Sequence, residues 1–156
     1  MSEKRQLRQR CSFHLSIFLV IFIPAFTVSA CRQDSESNRV PSAVLEVITR
    51  VSDDIDQERY EKIYNESSGL WKKDVTLEQS NEVFKTLRTK LGKIQSRSLH
   101  SAIEQQNSGG ALKGHVYILS YETSFERGDG METFTLVEEN GRWLLARYFV
   151  NSTALK

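Results

Sequence analysis

Acid–base chemistry in this 156-residue chain would fall to very few side chains. His100 sits between Leu99 and Ser101 in a segment with β alternation, and Glu122 lies in another, "HVYILSYETSFE", which His115 opens. A hydrolase or isomerase needs one such group as base, with a phenol or acid opposite it. Tyr60, Tyr64, Tyr121 and Tyr148 offer phenols, Arg97 a cation and Trp71 an apolar wall. With His100 and Glu122 these make up the candidate pocket. A plainer reading stands beside each residue. A single strand histidine is more often a surface or satisfied structural group, and aromatics at helical or strand spacing pack cores. Arg97 and Glu122 would form a cross-strand ion pair that fixes register if their strands align.

No linear motif adds to this set. The region after Cys31 has no cysteine, no G-x-S-x-G elbow and no glycine-rich phosphate loop. Nor does it hold a histidine cluster with metal-ligand spacing, so neither a metal nor another cofactor is expected.

The elements that must position these side chains follow from periodicity. Val44, Val47, Ile48, Val51 and Ile55 recur at three- and four-residue intervals and predict a helix beginning near Pro41. Asp56 is placed to cap a short second helix over "QERYEKIYN", which "SSG" at 67–69 ends. Thr76 and Gln79 form a capping-box pattern before a third helix. Its stripe is Leu77, Val83, Phe84, Leu87 and Leu91, and Gly92 stands at its stop.

After Gly92 the period becomes two. Strands are expected from Lys93 to about Gln105, over "HVYILSYETSFE", over "METFTLVEE" and over "RWLLARYFVN". "NSGG", "RGDG" and Asn140-Gly141 turn the chain between them, the last as a type I′ hairpin. Arg127-Gly128-Asp129 spells a cell-adhesion tripeptide, but its glycine and aspartate are what a turn favours. Strict alternation in the last strand would put Trp143, Leu145 and Phe149 on one face. Leu144, Ala146, Tyr148 and Val150 would take the other. A sheet apolar on both faces would hold the helices on one side and curve closed or meet a partner on the other.

Residues 1–30 read differently. Lys4, Arg5, Arg8 and Arg10 precede an apolar run, Phe13–Phe26, that is shorter than a membrane span and broken by Pro24. A basic start, a short apolar stretch and small residues are the parts of a secretory signal peptide. Removing them leaves 17 basic and 19 acidic side chains in residues 31–156, a net of −2. That balance argues against nucleic-acid binding, which needs clustered cations.

"VSAC", Val28 to Cys31, resembles the lipobox of bacterial lipoproteins. The resemblance implies diacylglycerol transfer to the Cys31 sulfur and cleavage after Ala30. Residues 32–39, "RQDSESNR", then form a polar tether to a single domain over 40–156. Arg32 is not the Asp of the inner-membrane retention signal, so the expected location is a lipid-anchored, periplasm-facing one, by default at the outer membrane.

The order of three helices and a curved four-stranded antiparallel sheet resembles the nuclear transport factor two-like superfamily, a cone-shaped α+β fold. "LRTKLGKIQSR", "GHVYILSYETSFE" and "METFTLVEENGRWLLARYFV" are similar to a bacterial domain family of that fold whose function is unknown. The resemblance covers roughly 44–150. Its most specific part is the spacing of Arg88, Gly92, Ser96-Arg97, Glu132, Trp143 and Tyr148. Ser80 stands where those domains usually carry Trp, which implies a wetter or larger pocket there, and "SGGALKG" lacks their proline turn.

Two functions are open at this level. The preferred one is a non-catalytic module binding a small apolar ligand or a protein at the envelope, with homodimerisation through the sheet as a further possibility. The alternative is a pocket enzyme of isomerase, dehydratase or hydrolase type using His100 or Glu122 as base. They separate on whether His100, Glu122, Arg97 and a tyrosine converge on one cavity.

Overall fold

The computed structural model describes residues 40–156. The expected signal peptide, lipidation at Cys31 and tether lie outside those residues. Among the described residues no helix is long and apolar enough to cross a membrane.

The architecture is α+β, with four helices ahead of a four-stranded antiparallel sheet in the order β1-β2-β3-β4. Helix α1 spans Ser42–Asp56 and buries Val44, Val47, Ile48, Val51 and Ile55, the stripe that the spacing predicts. Asp56 ends this helix; it does not cap the next one. Helix α2, Tyr60–Glu66, follows Arg59 with no side-chain cap. What joins α1 to α2 is Asp54, 1% exposed, which receives Arg59 Nε at 2.7 Å and Lys62 Nζ at 3.1 Å. A buried carboxylate is tolerated because two cations surround it.

The expected three helices are four. "SSG" both ends α2 and starts α3, Gly69–Asp74, because the Ser68 hydroxyl accepts the Trp71 N–H as an N-cap. Helix α4, Leu77–Leu91, carries the capping box of Thr76 and Gln79. It turns Ser80, Phe84 and Leu91 inward and leaves Val83 outside. Gly92 closes it at φ 78°, a left-handed conformation that suits glycine. A Cβ there would also collide with the side chain of Glu126, whose Oε2 accepts the Lys93 N–H.

The strands are β1 Ile94–Asn107, β2 Gly114–Phe125, β3 Gly128–Glu139 and β4 Arg142–Ser152. Asn140 and Gly141 both have positive φ, as a type I′ turn requires. The β2–β3 turn is tighter than expected. Phe125 pairs with Gly128, so only Glu126 and Arg127 turn, and Gly128 and Asp129 belong to β3.

Irregularities at Ile94/Ser96, Leu99/Ser101 and Thr135/Leu136 interrupt the pairing. Each extra residue inverts the alternation beyond it. In β4, Leu136 pairs with Leu145 while Thr135 pairs with Arg147. Trp143, Leu145, Tyr148 and Val150 therefore share the helix-facing side, and Phe149 stands on the other at 64% exposure. This corrects the face assignment that strict alternation gives.

The main core lies between helices and sheet. Phe84, fully buried, stacks on Tyr60 and Trp71 at 5.9 Å and on Tyr148 at 5.5 Å. A smaller cluster of Val116, Val137 and Ala146 occupies one end of the opposite sheet face, covered by Leu70 and Leu112. Burial on the outer face is thus greatest at that end, while Phe149 stands exposed beyond it.

Candidate functional site

The strand registry brings five polar groups to one point inside the core. Arg97 lies opposite Thr123, Tyr121 opposite Glu132, and Phe134 opposite Tyr148, all on the helix-facing side. Glu132 is 0% exposed. Its Oε2 accepts Arg97 Nε at 2.6 Å and the Thr123 hydroxyl at 2.5 Å; its Oε1 accepts Arg97 Nη2 at 2.8 Å and the Tyr148 hydroxyl at 2.5 Å. Arg97 Nη1 donates to the Ser52 hydroxyl, which donates to the Ile48 carbonyl, so the network reaches α1. The guanidinium also lies over Tyr121 and Phe134, 5.4 and 5.3 Å from the ring centroids.

Chemically this is a saturated carboxylate. An ionised carboxylate has about four acceptor positions, and here four donors fill them. Burial, then the Glu132 charge, hold the Tyr148 phenol well above its ordinary value, so it stays protonated as a donor. On the Phe84 side of Tyr148, away from Glu132 and Arg97, a void of about 10 Å³ is bounded by Ile55, Phe84, Leu91 and Tyr148. That is space for about one water at most.

The candidate residues divide between two faces. Arg97, Tyr121 and Tyr148 meet at Glu132, and Tyr60 and Trp71 flank Phe84 behind Tyr148. Tyr64 packs against the same core. His100 and Glu122 do not join them. Both are exposed, with Nδ1 and Oε1 3.1 Å apart. The expected Arg97–Glu122 pair does not form, because Glu122 faces Ser98 while Arg97 faces Thr123. Neighbouring strand residues point to opposite faces. His100 follows the inward Leu99 and so points outward by simple alternation, and the bulge at His100 then turns Ala102 inward opposite Leu119.

The partner that the candidate set lacks is Glu132. Its signal was present in "METFTLVEE", where Glu132 alternates with Phe134 and Leu136 and so belongs to the inward set. Ser80 is also resolved differently from the expected wetter pocket. It is fully buried, and its hydroxyl accepts Trp71 Nε1–H at 3.2 Å. The indole of the neighbouring helix α3 fills the space beside Ser80.

A second titratable group lies at the end of the sheet and was not assembled from the sequence. His115 Nε2 meets Glu104 Oε1 at 2.6 Å and Nδ1 meets Glu138 Oε2 at 3.0 Å. The ring packs edge-on against Trp143 at 4.8 Å. The bonds to Glu104 and then Glu138 raise the His115 pKa, while bonding from Tyr117 and then His115 lowers that of Glu104. Burial and the Glu104 hydrogen bond push Tyr117 up to about 12. The two ring nitrogens face different carboxylates, so the three groups do not surround one point. Among the described residues no group of three His, Cys, Asp or Glu side chains is arranged to hold a metal ion.

The larger concavities lie outside the core. One of about 720 Å³ runs between α1, the α2–α3 junction and the β3–β4 hairpin, with Arg50, Glu66, Lys72, Glu139 and Trp143 among its walls. Another, about 680 Å³, lies at the open end of the outer sheet face.

Fold and site together define a class: an α+β domain in which a buried carboxylate–guanidinium pair ties an antiparallel meander to the helices before it. A family model described as "Protein of unknown function (DUF4019)" matches residues 49–148, and the chain belongs to that family. No curated protein matches it.

Proposed function

We propose that the chain is a lipid-anchored protein of the bacterial cell envelope whose domain, of nuclear transport factor two-like type, binds without catalysis. The observation that carries the non-catalytic part is the saturation of Glu132. The one carboxylate inside the domain that meets phenol and guanidinium is fully buried and has its four acceptor positions taken. A general base needs a free lone pair within reach of a substrate. Binding then falls to outward-facing concavities, which are much larger than the interior void.

The anchor rests on the order of features in residues 1–31: basic start, short apolar run, Val-Ser-Ala and Cys31. Several acyl chains, at about 0.8 kcal/mol per buried CH₂, hold a protein stably on a bilayer. The domain would face the periplasm, with the outer membrane as its default site. The enzyme reading draws on the 3.1 Å contact of His100 with Glu122, but that pair is exposed on the sheet face away from Arg97 and the tyrosines.

Intact-mass spectrometry of the chain extracted from membranes of its own host tests both parts. The expected species begins at Cys31, carries acyl mass lost in Cys31→Ala, and holds no small molecule in its core. A chain that keeps residues 1–30 without acyl mass would overturn the anchor. A stoichiometric apolar molecule protected inside the domain would overturn the closed interior.

A further inference from the structure

The open end of the outer sheet face has a distinctive chemistry. Ser98, Glu122, Met131 and Asn151 form one row across all four strands. The next row holds Ser96, Ser124 and Asp129. In the other direction Ser120 and Thr133 lead to Phe149, the most exposed of the large hydrophobic side chains at 64%. From Ser120 to Ser124 this face runs about 13 Å, at about 3.3 Å per residue; the concavity itself takes in the Ser98 and Ser96 rows, and Phe149 stands beyond its rim.

Ser120 and Thr133 share one hydrogen bond, and part of the remaining polar surface is uncommitted. The Glu122 Oε1 contact is with His100 and the Asp129 Oδ1 contact with Ser124, which leaves one oxygen of each carboxylate open. No hydrogen bond engages the side chains of Ser96, Ser98 or Asn151 among the described residues. No lysine or arginine lines the concavity. Acceptor-only carboxylates repel an anion, and a hydroxyl-rich floor gives an apolar chain little. A ligand dense in hydroxyl donors, without negative charge and with C–H faces to lay on an exposed ring, satisfies all of them.

We infer that this face is a binding site for a neutral saccharide chain, with Phe149 as the stacking platform and Glu122, Asp129 and Asn151 as hydrogen-bonding partners. The carboxylates accept from sugar hydroxyls, the serines both donate and accept, and the amide of Asn151 donates to ring or acetamido oxygens. Along the face, Phe149 and Asp129 stand four strand residues apart, about 13 Å, so an oligomer engages both together while a monosaccharide does not. This assignment rests on the non-catalytic reading but not on the lipid anchor, and it leaves the covered apolar end of the same face as a structural contact.

The test is an amide chemical-shift titration of the isotope-labelled full chain in detergent micelles. The probes are chitohexaose, N-acetylglucosamine and a polyglutamate control. Saturable shifts confined to the rows of Ser98, Glu122, Asn151 and Phe149 are expected with the hexamer. The monomer should bind at least about ten-fold more weakly and polyglutamate not at all. Phe149→Ala, at an exposed position, should weaken hexamer binding by about ten-fold. Glu122→Gln should weaken it while leaving the unliganded spectrum outside this face unchanged. Absence of saturable shifts, shifts centred on the helices, or an affinity unchanged in Phe149→Ala would each overturn the assignment. So would concentration-dependent shifts of this face without saccharide, which would give it to a second copy of the chain. Acyl mass on Cys31 is read separately, so failure here does not count against the anchor.

Discussion

Arg97 and Glu132, 35 residues apart, meet side-on in the core: Nε and Nη2 lie 2.6 and 2.8 Å from the two carboxylate oxygens. Such a pair repays its desolvation only with further hydrogen bonds around it, and Thr123, Tyr148 and Ser52 supply them here. Removing one partner leaves an uncompensated buried charge. Glu132→Ala and Arg97→Ala are each expected to cost about 3–5 kcal/mol in urea unfolding. Arg97→Met with Glu132→Leu should cost much less than the sum. Additive losses would show that the two side chains act independently.

Tyr148 gives the same network a spectroscopic handle. Tyr148→Phe removes one hydrogen bond to a charged acceptor and should cost about 1.5–3 kcal/mol. Because the folded phenol is held well above the ordinary value of about 10, its contribution is complete below that pH and is lost as pH rises through the folded value. Ultraviolet titration of wild type against Tyr148→Phe should find one phenol fewer to ionise late, Tyr117 remaining at about 12.

At the sheet end, His115 should titrate above its unfolded value of about 6.5 by ring-proton resonance. Its two carboxylates favour the imidazolium, so this stabilisation is fully present below about 6.5 and disappears as pH rises through the raised folded value. Glu104→Gln should lower the His115 pKa more than Glu138→Gln, since Glu104 makes the stronger contact. An unchanged value in both variants would remove the carboxylates as the cause.

Ser80 and Trp71 form a matched pair. Ser80→Ala leaves the buried indole N–H unsatisfied and should cost about 1–3 kcal/mol by thermal or urea unfolding. Ser80→Trp should destabilise more than Ser80→Ala, because Trp71 and Phe84 already fill the surrounding space. A stabilised Ser80→Trp would mean that Trp71 leaves its place.

The local elements were legible because their determinants are local. Thr76 and Gln79 make a cap from three residues of contact, Asn140-Gly141 makes a turn from two, and the α1 stripe needs only its own period. The added helix α3 was hidden because Ser67–Gly69 reads equally as a stop and as a start, and only the placement of the Trp71 N–H on Ser68 distinguishes them. The site was harder. Glu132 shared the inward pattern of β3, but nothing in the sequence says which cation it meets.

By itself the sequence determined the α+β class, the meander order, the charge balance and the inward stripe of α1. These follow from periodicity, turn chemistry and composition. Tertiary structure decided that Arg97 binds Glu132 and not Glu122, that Ala102 turns inward beyond the bulge at His100, and that Phe149 leaves the core side. The physical reason is the period of two: one bulged residue inverts every side chain beyond it, and where a bulge falls depends on the neighbouring strand.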